Sequence, residues 1–157
     1  MLERASPASA ALVIGGGGFI GSALRKKLTA AYAEVTVLCR SKPIEPTALN
    51  EKWVTGDMAD TRLLSDLLSE GQDVYHLVSN SIPANGNWDI TNDIHQSVLP
   101  TLELLKLCIT PKIRRVIFVS SGGTVYGLGA PVPTPEDART APITSYGTTK
   151  LIIENYL

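Results

Sequence analysis

Tyr146 and Lys150, four apart in the segment SYGTTK, are the spacing in this chain that most directly suggests chemistry. Residues four apart share one face of a helix, so a phenol and an ammonium come side by side. A phenol ordinarily titrates near ~10, and a cation about 4 Å away favours the phenolate by about 4 kcal/mol at an effective dielectric near 20. That makes the pair an acid/base device. On an isolated helix the same spacing is two solvated residues, so its meaning depends on what the chain builds around it. A second constellation supplies the context. Gly15-Gly16-Gly17-Gly18-Phe19-Ile20-Gly21 follows the apolar run Ala10 to Ile14 and precedes the helix-like SALRKKLTAAY. In a strand–turn–helix, glycines let the backbone turn through positive φ and approach a pyrophosphate, whose charge the helix N-terminus holds.

The glycines fit two dinucleotide spacings, with Gly16, Gly18 and Gly21 in one and Gly15, Gly18 and Gly21 in the other. Gly15, Gly18, Phe19, Ile20 and Gly21 are therefore expected to bind a dinucleotide. About twenty residues beyond such a turn, an acidic side chain ordinarily hydrogen-bonds the adenosine ribose of NAD. Here the stretch reads Cys39-Arg40-Ser41-Lys42. Without a carboxylate a 2′-phosphate is not repelled, and Arg40, with Ser41 beside it, offers a planar cation that stacks on adenine or pairs with that phosphate. The choice is NAD or NADP with a weak lean to NADP, against the alternative that Arg40 and Lys42 are solvated loop charges. Asp57, after the third strand, either accepts the adenine amino group or caps the next helix, for which Asp60 is better placed.

The positioning elements alternate. Short runs rich in valine, isoleucine and leucine at Ala10 to Ile14, Glu34 to Cys39, Lys52 to Thr55, Asp73 to Ser79 and Arg114 to Ser120 predict strands covered on both faces. Helices are predicted at Gly18 to Ala31, Asp60 to Ser69, Ile94 to Cys108 and from Ser145 to the end. The expected fold class is α/β, a doubly wound parallel sheet with right-handed crossovers. Pro43 and Pro46 interrupt one connection, and Gly127 to Pro142, with four prolines, forms a long loop. His76, in a strand, is expected to be a core histidine, His95 to face solvent, and Trp88 to serve packing or a dimer surface.

A chain of 157 residues is one domain of ordinary size, here a loose lead-in over 1–9 and a nucleotide-binding domain over 10–157. Net charge is −1 with both signs interspersed, which argues for small-molecule partners over nucleic acid. Cys39 and Cys108 have neither metal-ligand nor disulfide-framework spacing, no metal cluster is evident, and MLERASPAS lacks an apolar signal region. No apolar stretch is long enough to cross a bilayer, and the expected setting is the cytoplasm. The last helix still offers Leu151, Ile152, Ile153, Tyr156 and Leu157 with nothing following to cover them. A doubly wound sheet usually continues with a sixth strand. The sheet is thus expected to be truncated after the Tyr-x-x-x-Lys helix, with a C-terminal substrate domain absent, as the first part of a longer protein or a naturally shortened one.

GGGGFIGSAL, GDMAD, DVYHLVS, VIFVSSGGTVYG and PITSYGTTKLIIE together resemble the N-terminal portion of an extended short-chain dehydrogenase/reductase of the NAD(P)-dependent nucleotide-sugar epimerase/dehydratase group. The resemblance runs almost end to end. It implies a Rossmann-type fold in which Gly15, Gly18 and Gly21 hold the pyrophosphate, Asp57 and Met58 border adenine, and His76, Leu77, Val78 and Ser79 line the nicotinamide side. Tyr146 would be the catalytic base and Lys150 its activator, both also touching the cofactor. Homodimerisation through the helices at 94–108 and 145–157 is implied too. Gly122 stands where many relatives carry a catalytic serine or threonine; Thr124, narrowly preferred, or Ser121 would replace it, unless both hydroxyls only satisfy backbone groups. The implied reaction is epimerisation or dehydration of a nucleoside-diphosphate sugar by transient hydride transfer. The alternatives are a keto-sugar reductase and a non-catalytic NAD(P)-binding module, the latter if 157 residues is the mature length.

Overall fold

Alternate residues along the central strands fall on opposite faces of a sheet, and both faces are buried. Ala11, Leu12, Val13, Ile14, Val35, Val37, Leu38 and Val74 are all closed to solvent, which is why these runs read as continuously apolar. The structure is a computed structural model that describes residues 10–41, 48–80, 89–109 and 113–157. The lead-in over 1–9, Lys42, Pro43, Pro46 and Trp88 lie outside the described residues. The chain forms two compact units, Met1–Val78 with Glu103–Phe118, and Ser79–Leu102 with Val119–Leu157.

The first unit holds the sheet. Its strands are β1 (Ala10–Ile14), β2 (Glu34–Cys39), β3 (Glu51–Thr55), β4 (Gln72–His76) and β5 (Ile113–Phe118). All neighbours are parallel, in the order β3-β2-β1-β4-β5. This is the expected parallel α/β sheet of Rossmann type, and the strand order reverses beside β1, where such folds place ligands. The predicted strands are recovered, with β4 and β5 ending earlier than expected, at His76 and Phe118. One face packs Leu12, Ile14, Leu38 and Val74 with Leu64 of α2 (Thr61–Leu67) and with Leu104 of α4 (Leu99–Cys108). The other packs Ala11, Val13, Val35 and Val37 with Leu24 and Leu28 of α1 (Phe19–Ala31). His76 is buried against Phe118, ring centroids 5.3 Å apart, as a core residue.

Polar side chains lock two margins of this sheet. Arg25 of α1 donates to both carboxylate oxygens of Glu51 on β3, at 3.2 and 3.1 Å, and its guanidinium lies 5.1 Å from the Trp53 ring centroid. At the start of β4 the fully buried Asp73 carboxylate accepts from Tyr32, Arg114 and Arg115. Consecutive strand residues normally point to opposite faces, but the register shifts here, with Gln72 opposite Ile113 and Asp73 opposite Arg115. The bulged extra residue, Arg114, lets two neighbouring arginines reach one carboxylate. Burial alone pushes the Asp73 carboxyl up, yet the Arg114 and Arg115 guanidiniums and the Tyr32 hydroxyl outweigh it and hold it well below the usual carboxylate range.

The second unit is helical: α3 (Ile90–Asp93), a π-helical turn (Ile94–Val98) running into α4, α5 (Gly122–Val125) and α6 (Ser145–Glu154). The helix expected from Ile94 thus begins one turn earlier, where the Asp89 carboxylate caps it by accepting from Asn92 N–H at 2.8 Å. Pro100 accounts for the widened turn. It has no N–H to give the Gln96 carbonyl and its ring crowds that oxygen, so the Leu99 N–H reaches back to Ile94 and Asn80 Nδ2 takes the Gln96 carbonyl at 2.6 Å. α5 is unanticipated, since two of its four residues are glycine and weak helix formers. α6 stops at Glu154 and does not run to the end. Among the described residues no helix is long and apolar enough to cross a membrane.

Candidate functional site

The glycine turn is built by sterics. At the end of β1, Gly15 adopts φ +86°, a conformation that disfavours any side chain, and its N–H donates to the Leu38 carbonyl at 2.8 Å. A Cβ on Gly15 would also lie 2.9 Å from Val78 Cγ2. The Gly18 N–H then closes the turn onto the Gly15 carbonyl at 3.1 Å. One on Gly21 would lie 2.5 Å from Gly16 Cα and 2.7 Å from the Gly15 oxygen, so α1 can meet the turn only because nothing stands there. α1 has no side-chain cap, and Phe19 and Ile20 at its start are 95% and 50% exposed. Uncapped main-chain N–H groups at the positive end of a 13-residue helix fit the pyrophosphate of a dinucleotide.

Around that turn the unit places the other expected nucleotide contacts. Leu77 donates its N–H to the Ile14 carbonyl at 2.9 Å, which carries Leu77 and Val78 past the end of β4 beside the turn. Cys39 ends β2 with its thiol donating to the Ser41 carbonyl at 2.7 Å, and Arg40 and Ser41 are exposed beyond it. Asp57 is exposed and accepts from Ala59 N–H at 2.9 Å, whereas Asp60 caps α2 through Arg62 and Leu63. Capping therefore belongs to Asp60, and Asp57 keeps carboxylate surface toward solvent. Met58 sends its side chain into the core, leaving its main chain for a ligand.

The expected acid/base pair, Tyr146 and Lys150, lies in the second unit. Thr144 caps α6, its hydroxyl accepting from the Gly147 N–H at 3.1 Å, which fixes the turn that carries Tyr146. One turn later Lys150 is buried, its Nζ donating to the Val119 carbonyl at 2.9 Å and lying 5.7 Å from the Tyr146 ring centroid. Burial pushes its ammonium down to about 8, so it is charged at neutral pH but gives up its proton readily. The helical spacing read from the sequence thus brings Tyr146 and Lys150 together. Thr124 donates its hydroxyl to the Ser121 carbonyl at 3.1 Å, and its oxygen retains lone pairs. Gly122 and Gly123 face open space.

Some groups escaped the sequence reading. The Val119 carbonyl that holds Lys150 belongs to the main chain, so no residue type announces it. Asp93 Oδ2, Ser97 Oγ and Ser120 Oγ are buried without a hydrogen-bond partner among the described residues. The first two lie at the π-helical turn, whose only sequence signal is Pro100. His95 is exposed, as expected, and Ser79 is exposed just past Leu77 and Val78. Burial raises the Cys108 thiol to about 11, leaving it inert.

Comparison with known proteins follows the same lines. The sequence model described as "NAD dependent epimerase/dehydratase family" matches residues 11–157. A putative UDP-glucose 4-epimerase of Methanocaldococcus jannaschii is 30% identical over 151 residues, 93% of this chain and 49% of the relative. The UDP-glucose 4-epimerase of Thermotoga maritima, solved with UDP-glucose, superposes with a TM-score of 0.82 at 30% identity, covering 94% of this chain and 49% of that one. The enzyme of the same name from Brucella ovis, solved with NAD, gives a TM-score of 0.81 at 30% identity over 96% of this chain and 47% of that one. The chain spans about half the length of the curated relatives it matches.

Proposed function

Because the chain belongs to the NAD dependent epimerase/dehydratase family, we propose that it supplies the cofactor-binding and acid/base part of a nucleoside-diphosphate-sugar epimerase. The observation that carries this reading is the buried Lys150, held on the Val119 carbonyl beside Tyr146. The chemistry that a bound nicotinamide supplies is acceptance of a hydride from a sugar carbon and its return to the other face. Gly15, Gly18, Phe19, Ile20 and Gly21 hold the pyrophosphate on main-chain N–H groups. Asp57 and the Met58 main chain take the adenine, and Leu77, Val78 and Ser79 the nicotinamide end. Tyr146 removes the proton from the sugar hydroxyl being oxidised and gives it back, while Lys150 keeps positive charge beside the phenol and meets the nicotinamide ribose. Thr124, with an oxygen free to accept, or Ser121 orients that hydroxyl.

Two finer assignments follow. Arg40, exposed past a strand that ends in cysteine and not in a carboxylate, favours NADP over NAD. Ile94 and Leu99, 38% and 44% exposed, and Tyr156 and Leu157 beyond α6, 66% and 57% exposed, support a homodimer through those helices, and the proposed setting is the cytoplasm. Incubation of a full-length version with UDP-hexoses tests the reaction, with product identified by chromatography and reduced cofactor by absorbance; the 157 residues alone are expected to be inactive. Interconversion of hexose epimers without net reduced cofactor is the expected outcome. Stoichiometric consumption of reduced cofactor would make it a keto-sugar reductase instead, and no conversion by protein that binds nucleotide would leave a non-catalytic binding module.

A further inference from the structure

Gly147 occupies a place where helix propensity argues against it. It is the third residue of α6, a position that favours glutamate or glutamine in a capping box, and glycine within a helix costs about 0.5–1 kcal/mol relative to alanine. Its φ is not positive, so the backbone does not demand it. The requirement is steric: a Cβ on Gly147 would lie 2.8 Å from the Thr124 oxygen and 3.0 Å from Pro142 Cβ. The first turn of α6 therefore rests directly on the backbone of α5, just beyond Val119–Ser121. That approach is reinforced at the base of the intervening loop, where the Ala141 N–H donates to the Val125 carbonyl at 3.0 Å. One turn further along α6, Lys150 reaches the Val119 carbonyl.

We propose that Gly147 is a positioning residue for the acid/base pair: by letting α6 seat on the Thr124 carbonyl, it sets the depth at which Lys150 is buried against the Val119 carbonyl beside Tyr146. A side chain at 147 lifts the first turn by several tenths of an ångström, loosens the Lys150–Val119 bond and admits water to the ammonium. The inference rests on Tyr146 and Lys150 being the reactive pair, but the geometry it concerns is measurable whether or not the protein turns over a sugar.

The test is competitive acetylation of the protein with acetic anhydride between pH 6 and 11, read by mass spectrometry. Exposed Lys26, Lys27, Lys52 and Lys106 serve as internal references. In the wild type the Lys150 midpoint is expected near 8, well below the ordinary lysine value of 10.5. Gly147→Ala is expected to move it up toward the ordinary lysine value of 10.5. Gly123→Ala, at a position with no neighbour within 4 Å, leaves it in place. Thr144→Ala adds no atom but removes the cap bond onto Gly147, and moves the midpoint the same way by a smaller step. A Lys150 midpoint that stays near 8 in folded Gly147→Ala, or in Thr144→Ala should the first variant not fold, overturns the proposal. Failure of the epimerase assay with these shifts intact counts against the functional reading alone.

Discussion

The glycine turn and the Tyr146–Lys150 helix are both glycine-dependent, yet glycine serves them differently. In the turn, Gly15 supplies a φ of +86° and Gly21 lets two backbone segments pass within contact, so the main chain itself is the proposed binding surface. In the helix the working atoms are side chains, and the role proposed for Gly147 is to bring their backbone close enough to the Val119 carbonyl for Lys150 to be dehydrated. A main-chain site is set by sterics and tolerates nothing larger. A side-chain site is set by burial and answers to pH.

The largest effect belongs to the turn. Gly21→Val puts atoms where Gly16 Cα and the Gly15 oxygen stand, and overpacking of this kind costs about 1–3 kcal/mol of stability. Because the displaced groups form the proposed pyrophosphate cradle, NAD affinity should fall at least ~100-fold, or about 2.7 kcal/mol, as measured by calorimetry. An unchanged affinity would mean that the turn is only structural.

Next comes the margin of the sheet away from the turn. Asp73→Asn leaves Arg114 and Arg115 facing a neutral amide, and breaking a buried pair typically costs 3–5 kcal/mol. Since both guanidiniums are partly exposed and screened by water, a loss below that range is expected from urea unfolding at pH 7. The sign of the pH dependence follows from the lowered carboxyl. The Asp73 contribution is complete above the unfolded carboxyl's range, near ~4, and is lost as the pH falls below it. The variant should lack that acid-side loss.

The helix responds at the opposite end of the pH scale. With its ammonium lowered from 10.5 to about 8, Lys150 carries a full burial penalty below pH 8 that is progressively relieved as the pH rises toward 10.5. Urea midpoints measured across that window should rise less steeply in Lys150→Met than in the wild type; parallel curves would mean that the lysine is hydrated. A smaller effect is expected at the adenosine end. Arg40→Ala should weaken NADP roughly tenfold, the loss of one charge-assisted bond, and leave NAD unchanged. Equal losses for both would reduce Arg40 to a stacking role. The smallest change is a gain: Gly123→Ala, in open space on α5, should add about 0.5–1 kcal/mol, seen as a higher thermal midpoint.

Most of the sheet was legible because parallel strands buried on both faces write themselves as short apolar runs; β1 and β2 coincide with the predicted bounds. Ile14 and Val13 fall on different faces, yet both are apolar, so neither end of the run was ambiguous. Tyr146 and Lys150 were legible because helical spacing is local. Asp73 and its two arginines were not, since consecutive Arg114 and Arg115 reach one carboxylate only through a bulge that depends on pairing between strands. Nor was the Val119 carbonyl, which any residue would supply. The π-helical turn follows from Pro100, but only once Asn80 is seen taking the Gln96 carbonyl that proline leaves without a donor.

The proposed function requires the turn between β1 and α1 to be a working dinucleotide cradle. Calorimetric titration of the protein with NAD and with NADP tests it most directly. Saturable binding at one site per chain is expected, tighter for NADP and weakened at least ~100-fold by Gly21→Val. A folded wild-type protein that binds neither nucleotide, or a Gly21→Val variant that binds as tightly, would contradict it.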